Sequence, residues 1–329
     1  MSPGLRGLEG RDSMYCINLD TYDPFFNLAI EEFLLKNKIE EYLVLCINDP
    51  SVIIGKHQLG HREVNTQFVH ENKIPVIRRL SGGGTVFHDK GNLNFSFIRN
   101  CETGKQVDFI RYVQPVIDFL KSMGIDASFG GNNDLRVDAL KISGNAEHVH
   151  GNKVLHHGTL LFSTSLEMLR NSIRKDSSCY TTRAVASKPA SIMNLNEKMN
   201  CFQDINEFRS EMINFFLKYF NDLVPYELTQ AEILQAEAIV KSKYRTWEWN
   251  WAYGPEYVFI NSIEINKLQH SCHLLIKDGI IRQCDIEGSD RMRSVSKKLI
   301  GCRHMVDDIS ELLRNENILL NEKEIFNFF

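Results

Sequence analysis

The run Arg78-Arg79-Leu80-Ser81-Gly82-Gly83-Gly84-Thr85-Val86-Phe87-His88-Asp89 restricts the possible folds more than any other stretch of this chain. Three consecutive glycines stand between a strand end with paired arginines and a new β-type run, Thr85 to Phe87. Without Cβ atoms the backbone there can take positive φ and come close to a ligand. Such a turn can aim several N–H groups at one anion. Two arginines at its entrance add permanent, bidentate phosphate donors. One reading is an anion-binding loop for a phosphate or an activated carboxylate; the other is a hairpin turn with solvated arginines beside it. The run is not a Walker loop, because no Gly-Lys-Ser/Thr follows. Nor is it a dinucleotide-binding fingerprint, because the G-x-G-x-x-G spacing is absent and a strand follows.

With 329 residues the chain can build one large domain and a small one. A formal charge of −4 gives no global attraction to nucleic acid. No apolar run approaches the ~20 residues of a membrane span, so neither a membrane nor a nucleic-acid partner is expected. The eight cysteines form no C-x-x-C pair, and several, such as Cys46 in Leu43-Val44-Leu45-Cys46-Ile47, lie in apolar runs. They read as buried, reduced thiols of a reducing compartment. Residues 1–13 are Gly-rich and mixed in charge. They are expected to be a disordered extension, natural or added, ahead of a domain starting near Met14.

Asp23-Pro24 reads as an N-cap followed by proline at the first helical position, opening a helix to about Lys36. Strands are expected at 14–19, 42–47, 51–55, 74–78, 85–88 and 93–98, and a helix from about Val107 to Met123. Leu135 to Phe162, broken by Gly-Asn turns, predicts antiparallel strands. Helices are expected at 166–174, 205–220 and 230–243. Trp247-Glu248-Trp249-Asn250-Trp251 marks a boundary. Beyond it, strands at 258–264, 271–277 and 280–286 precede two helices, with Asp278-Gly279 a strong hairpin signal. Hairpins mixed with helices argue for α+β. The division drawn from this reading is 1–13 extension, 14–244 main domain, 245–256 linker or hinge, and 257–329 C-terminal α+β domain.

A second polar constellation spans Asn132-Asn133-Asp134-Leu135, Lys141-Ile142-Ser143-Gly144-Asn145-Ala146 and His156-His157-Gly158-Thr159-Leu160. Lys141, in a β-rich stretch with glycine just beyond, can point into a cleft and meet a phosphate oxygen or a developing oxyanion. Alternatively it is a solvated lysine that blunts a sheet edge. His88 and Asp89 read as a catalytic pair or, more simply, as a structural pair holding the glycine loop. Asp134 reads as a substrate or Mg²⁺ contact or as a local cap. The histidines at 148, 150, 156 and 157 lack nearby Cys or carboxylate ligands, so no protein-bound zinc is expected.

Taken in order, Arg-Arg-x-Ser-Gly-Gly-Gly-x-Val-Phe-His-Asp-x-Gly-Asn at 78–92, Asn-Asp-Leu at 133–135, Lys-Ile-Ser-Gly-x-Ala at 141–146 and His-His-Gly-Thr-Leu-Leu at 156–161 resemble lipoate–protein ligase A. Asp-x-Tyr-Asp-Pro-Phe-Phe-Asn-Leu-Ala at 20–29 and Trp-Glu-Trp-Asn at 247–250 look like that family too. The resemblance covers Met14 to about Glu316. It implies the biotin/lipoate ligase-like fold, a mixed β-sheet flanked by helices, with the small C-terminal domain as an accessory domain. It implies Mg-ATP-dependent activation of lipoate, or octanoate, to an acyl-adenylate and pyrophosphate. The acyl group then passes to a lysine of a lipoyl carrier domain, an E2 subunit of a 2-oxoacid dehydrogenase or the glycine-cleavage H protein.

Carried over by motif, Arg79, Gly84, Thr85, Val86, Phe87 and Lys141 are expected at ATP or the adenylate. Lys141, as the catalytic residue, is also expected at lipoate, with Arg78 and Gly83. His88, Asp89, Asn133, Asp134, Ser143, Gly144 and His157 are expected to support them, with the Mg²⁺ ligands unassigned. Arg183 and residues 187–191 are expected as a loop over the adenylate, and Trp247–Gly254 as the hinge. A cytoplasmic monomer is expected, mitochondrial if the source is eukaryotic. The rival is a lipoyl- or octanoyltransferase that uses a preformed acyl donor without ATP. In its thioester form it needs an activated cysteine, and residues 129–141 contain none, Cys179 lying well beyond.

Overall fold

The computed structural model describes residues 13–101, 108–131, 133–199, 201–265, 267–288, 290–318, 321 and 323–329. The expected extension, Ser13 apart, falls outside these residues, as do Asn132 and the expected helix start at Val107. The chain divides into two compact units. The first takes in the described residues up to Asp49, Asp89–Thr164 and Ala190–Ile239; the second takes in Pro50–His88, Ser165–Pro189 and Val240–Phe329.

The first unit is built on an eight-stranded mixed sheet. Its strand order is Leu223–Pro225, Met14–Asn18, Glu41–Ile47, Asn92–Asn100, Lys153–Leu161, Leu140–His150, Asp134–Val137 and Ser128–Phe129. The first two pairings are parallel and the others antiparallel. The alternation read at 93–98 has its cause here. Leu93, Phe95 and Phe97 enter a core with Phe119, Phe208 and Phe216 from the helices Phe109–Ser122 and Ile205–Tyr219. The helix Pro24–Asn37 starts as expected, with Asp23 accepting from the Phe25 N–H at 2.9 Å and Pro24 at its first position.

The second unit holds two smaller sheets. In one, Ser51–Ile54 lies between Val76–Arg78, parallel, and Val86–His88, antiparallel. Val52, Ile54, Val76 and Phe87 share its apolar core. The other has the order Tyr180–Thr182, Tyr257–Ile265, Leu268–Lys277 and Ile280–Ile286, all antiparallel. The helices Asp290–Leu299 and Val306–Asn315 contribute Val295, Leu299, Ile309 and Leu313 to its core. Its last hairpin turns at Asp278 and Gly279, both at positive φ (53° and 68°). This is the backbone that an Asp-Gly pair favours between alternating apolar runs. The architecture is α+β, mixed sheets with flanking helices, as expected. No helix among the described residues is long and apolar enough to cross a membrane.

Candidate functional site

In the second unit the two arginines before the glycine run do different work. Successive residues of a strand face opposite ways. Arg78 is 0% exposed. Its Nε donates to the Trp249 carbonyl (3.0 Å), Nη1 to those of Gly55 (3.1 Å), Lys56 (3.1 Å) and Gln58 (2.6 Å), and Nη2 to that of Asn250 (2.9 Å). Its N–H donates to Asn250 Oδ1 and its carbonyl accepts from Trp249 Nε1. Burial lowers the guanidinium pKa to about 10. Arg78, expected at lipoate, is therefore a clamp: it ties the turn after Ile54 to the Trp249-Asn250 segment, and its donors are already engaged.

Arg79 instead shapes the loop. Its Nη2 donates to the carbonyls of Gly82 (2.6 Å) and Gly84 (2.7 Å), its Nε to Ser81 Oγ (2.9 Å) and its Nη1 to the Ile53 carbonyl (3.1 Å). Gly83 sits at φ +86°, where a side chain would be strained. A Cβ on Gly55 would lie 2.2 Å from the Gly83 carbonyl oxygen, so Gly55 must be glycine for the loop to seat. Among the described residues, the N–H groups of Gly82, Gly83 and Gly84 have no hydrogen-bond acceptor. Three successive half-buried donors whose neighbouring carbonyls are held by an arginine are the kind of group from which anion-binding nests are built, and they make this loop the candidate site.

Next along the loop, the Thr85 N–H donates to Ser187 Oγ at 2.9 Å. The Ser187 hydroxyl donates in turn to the Glu63 carboxylate and accepts from Gln58 Nε2 (3.0 Å), while the Thr85 hydroxyl reaches Gln58 Oε1 at 3.0 Å. Of the residues expected in a loop over the adenylate, Ser187 bonds the end of the glycine run directly, at Thr85. Gly55, Gln58 and Glu63 were not anticipated; their only signal was a Gly-Lys-His-Gln turn after a strand. The Phe87 ring is a core side chain, and Val86 beside it is half-buried. His88 pairs across the sheet with Ser51. Asp89 caps the following turn, its Oδ1 accepting from the Gly91 N–H at 2.9 Å.

The second constellation assembles in the first unit. Lys141 is half-buried near the start of the Leu140–His150 strand. Its N–H donates to the Ser191 carbonyl (2.9 Å) and its own carbonyl accepts from the Met193 N–H (3.1 Å). Opposite, Asp134 pairs in register with Gly144, and Leu135 with the buried Ser143. Asn133 takes positive φ (58°), and its Nδ2 donates to the Asn145 carbonyl at 2.8 Å. Asp134 Oδ2 is bound by Arg136, whereas its buried Oδ1 has no hydrogen-bond partner among the described residues.

Contrary to the sequence reading, carboxylates do stand beside two of the histidines, which brace the next strand. Buried His156 places Nδ1 2.8 Å from Glu147 Oε1, and burial, opposed by Glu147, holds its pKa down. His157 Nδ1 lies 3.0 Å from Glu31 Oε2, while Glu31 Oε1 accepts from Ser96 Oγ at 2.5 Å. Gly158 pairs with Asn145, so this bracing runs beside the Lys141 strand. Cys179 is half-buried with its thiol pKa raised by burial, the opposite of an activated nucleophile.

Residues 23–217 match the family model described as the lipoyl protein ligase A/B catalytic domain. The chain belongs to this family. Lipoate-protein ligase LplJ of Bacillus subtilis is 33% identical over 93% of this chain and 95% of its own length. Lipoate–protein ligase 1 of Staphylococcus aureus is 32% identical over 95% of this chain and 94% of its own. Among solved structures, a lipoate-protein ligase A bound with ATP superposes with a TM-score of 0.62 at 25% identity, covering 72% of this chain and 98% of that one. A putative lipoate protein ligase of Thermoplasma acidophilum with bound lipoic acid gives 0.60 at 26% identity, with coverages of 72% and 99%. The glycine run, the Asn133-Asp134 pair and the Lys141-Ile142-Ser143-Gly144 strand all lie within the matched residues.

Proposed function

We propose that the chain is an ATP-dependent lipoate–protein ligase that converts lipoate and ATP to lipoyl-adenylate and pyrophosphate. It then transfers the lipoyl group to a lysine of a carrier domain. The observation that carries this reading is the row of unsatisfied Gly82, Gly83 and Gly84 N–H groups held open by Arg79. It is supported by relatives named as lipoate-protein ligases along almost the whole chain. Solved neighbours carry ATP and lipoic acid, and one archaeal lipoate ligase is described together with its E2 lipoyl domain. An E2 lipoyl domain, and by the same lysine chemistry an H protein, are the proposed acceptors.

In activation, a lipoate carboxylate oxygen attacks the α-phosphorus and the bond to pyrophosphate breaks. The glycine-loop N–H groups and that of Thr85 meet the phosphoryl oxygens, where charge develops. Arg79 acts through the loop carbonyls, holding those donors in place. Lys141 neutralises the acyl end, first as carboxylate and then as the oxyanion formed when the carrier amine attacks. No protein nucleophile is needed, because the mixed anhydride is already activated.

Among the described residues, no three His, Cys, Asp or Glu side chains gather as a metal cage. Mg²⁺ commonly needs only one or two carboxylates beside substrate phosphates, and the unpartnered Asp134 Oδ1 fits one such ligand. Mg²⁺ arriving with ATP would offset phosphate charge. The deciding experiment is lipoate-dependent release of pyrophosphate from ATP without carrier, followed by the mass increase of an added lipoyl domain. No pyrophosphate release, with transfer only from supplied lipoyl-adenylate, would make the chain a transferase.

A further inference from the structure

Beside the glycine loop, the second unit contains a cavity of about 530 Å³ lined by Lys56, His57, Arg183, Tyr253 and Asp278, among others. That volume falls within the ~300–1,000 Å³ of small-ligand sites. The loop and the cavity share backbone. The Lys56 N–H donates to the Ser81 carbonyl at 2.8 Å, at the mouth of the glycine run. The far wall is fixed in the same way: the Val185 N–H donates to the His57 carbonyl (3.2 Å), Arg62 Nη1 to the Ala184 carbonyl (3.1 Å) and the Thr85 N–H to Ser187 Oγ. Arg183 thus stands on a strap that runs from the cavity to the glycine loop.

The lining is cationic. Among the described residues, neither Lys56 nor Arg183 makes an ion pair. The acidic residue, Asp278, faces Arg282 on its own hairpin at 3.7 Å and is itself largely exposed. An uncompensated lysine and arginine opening onto one concavity, next to a row of free N–H donors, describe a site for a polyanion longer than one phosphate.

We propose that this cavity is the subsite for the β- and γ-phosphates of ATP and for the pyrophosphate they become, with Lys56 and Arg183 as its binding residues. The inference rests on the ligase reading given above. When the α–β phosphoanhydride bond breaks, its electron pair stays on the bridging oxygen of pyrophosphate. Cations at that end therefore stabilise the departing charge more as the bond lengthens.

The test uses the full chain and inorganic pyrophosphate as probe. In calorimetric titration the Lys56→Gln/Arg183→Gln variant should bind pyrophosphate at least about tenfold more weakly than wild type, with Lys56→Arg/Arg183→Lys keeping most of the affinity. In lipoate-dependent ATP–pyrophosphate exchange the Gln variant should show a similar rise in KM for pyrophosphate. Transfer from supplied lipoyl-adenylate, which carries no pyrophosphate, should fall by a much smaller factor. Unchanged pyrophosphate affinity in a folded Gln variant overturns the site, and so does a loss confined to the KM for the carrier, which would assign the cavity to an acidic protein face. A wild-type protein that binds pyrophosphate through these two residues yet forms no lipoyl-adenylate sinks the ligase reading and leaves the anion site standing.

Discussion

At the scale of single residues, the glycine run was readable because its chemistry is an absence: without Cβ atoms only a few backbone paths remain. The division of labour between Arg78 and Arg79 was not. Both are arginines at a strand end, and whether each clamps a distant segment or shapes the loop depends on what covers its face. For Arg78 that cover is the Trp249-Asn250 segment, 171 and 172 positions along the chain. Gly55 was missed for a similar reason, since its need for glycine arises from the Gly83 carbonyl packed against it. Gly55→Ala should keep the fold but push the loop out of place. Because a misplacement near 1 Å can cost about 10²-fold, lipoate-dependent pyrophosphate release should fall at least about tenfold. A wild-type rate in that variant would mean that the seating of the loop is irrelevant. Lys141→Ala removes a charge and leaves the strand's backbone bonds to Ser191 and Met193 intact. Carrier lipoylation should drop about 10²–10³-fold, the scale of losing one preorganised electrostatic partner, with an unchanged circular dichroism spectrum. Near-normal lipoylation would remove Lys141 from the mechanism.

At the scale of elements, local signals held and distant ones did not. The Asp278-Gly279 hairpin is encoded in its own turn residues, and the Pro24–Asn37 helix in its cap. The strand Tyr180–Thr182 is short, polar at two positions and paired with Tyr257–Phe259 far along the chain, so nothing nearby announces it. Its pairing, together with the Val64–Ile173 bridge and the Arg174 bonds to the carbonyls of His61 and Val64, ties residues 165–189 into the second unit. The strap that follows carries a consequence for binding. Ser187 Oγ occupies the Thr85 N–H, which a phosphoryl oxygen must take over if the loop binds adenylate. A net hydrogen bond is worth about 0.5–1.5 kcal/mol. Ser187→Ala, which removes the competitor, should therefore lower the KM for ATP by about 2–10-fold at similar kcat. A raised KM would show instead that the Ser187 contacts with Glu63 and Gln58 organise the site.

At the scale of the whole molecule, buried histidines tie stability to pH. His304 lies in the second unit, 1% exposed. Its Nε2 is 2.7 Å from the Phe328 carbonyl, an acceptor only, so Nε2 carries the proton and Nδ1 accepts from the Tyr257 hydroxyl at 2.7 Å. A second proton on Nδ1 would have to displace that hydroxyl hydrogen in a dry core. Burial accordingly lowers the His304 pKa to about 4, outweighing the Phe328 carbonyl. His61, whose Nε2 sits 2.7 Å from the His304 carbonyl and whose buried Nδ1 has no partner among the described residues, is pushed well below its usual value by burial and by His304. In the first unit His156 shifts the same way. A depressed histidine pKa means that the unfolded chain takes the proton first. The contribution is therefore complete above about pH 6.5, the unfolded value, and is lost as pH falls towards the folded one. Each such histidine costs about 1.4 kcal/mol per pH unit in that window. Glu232 reaches a pKa of about 2, its burial outweighed by bonds to Lys38, Thr229 and Tyr226, and it adds a loss only below the usual carboxylate range. Between pH 6.5 and 5 the histidines should therefore dominate. All three tryptophans, 247, 249 and 251, lie in the second unit, so denaturation followed by tryptophan fluorescence reports that unit. His304→Gln should be less stable than wild type at pH 7, yet its stability should fall less steeply on acidification, by about one proton's worth. An unchanged slope would mean that His304 does not carry this dependence.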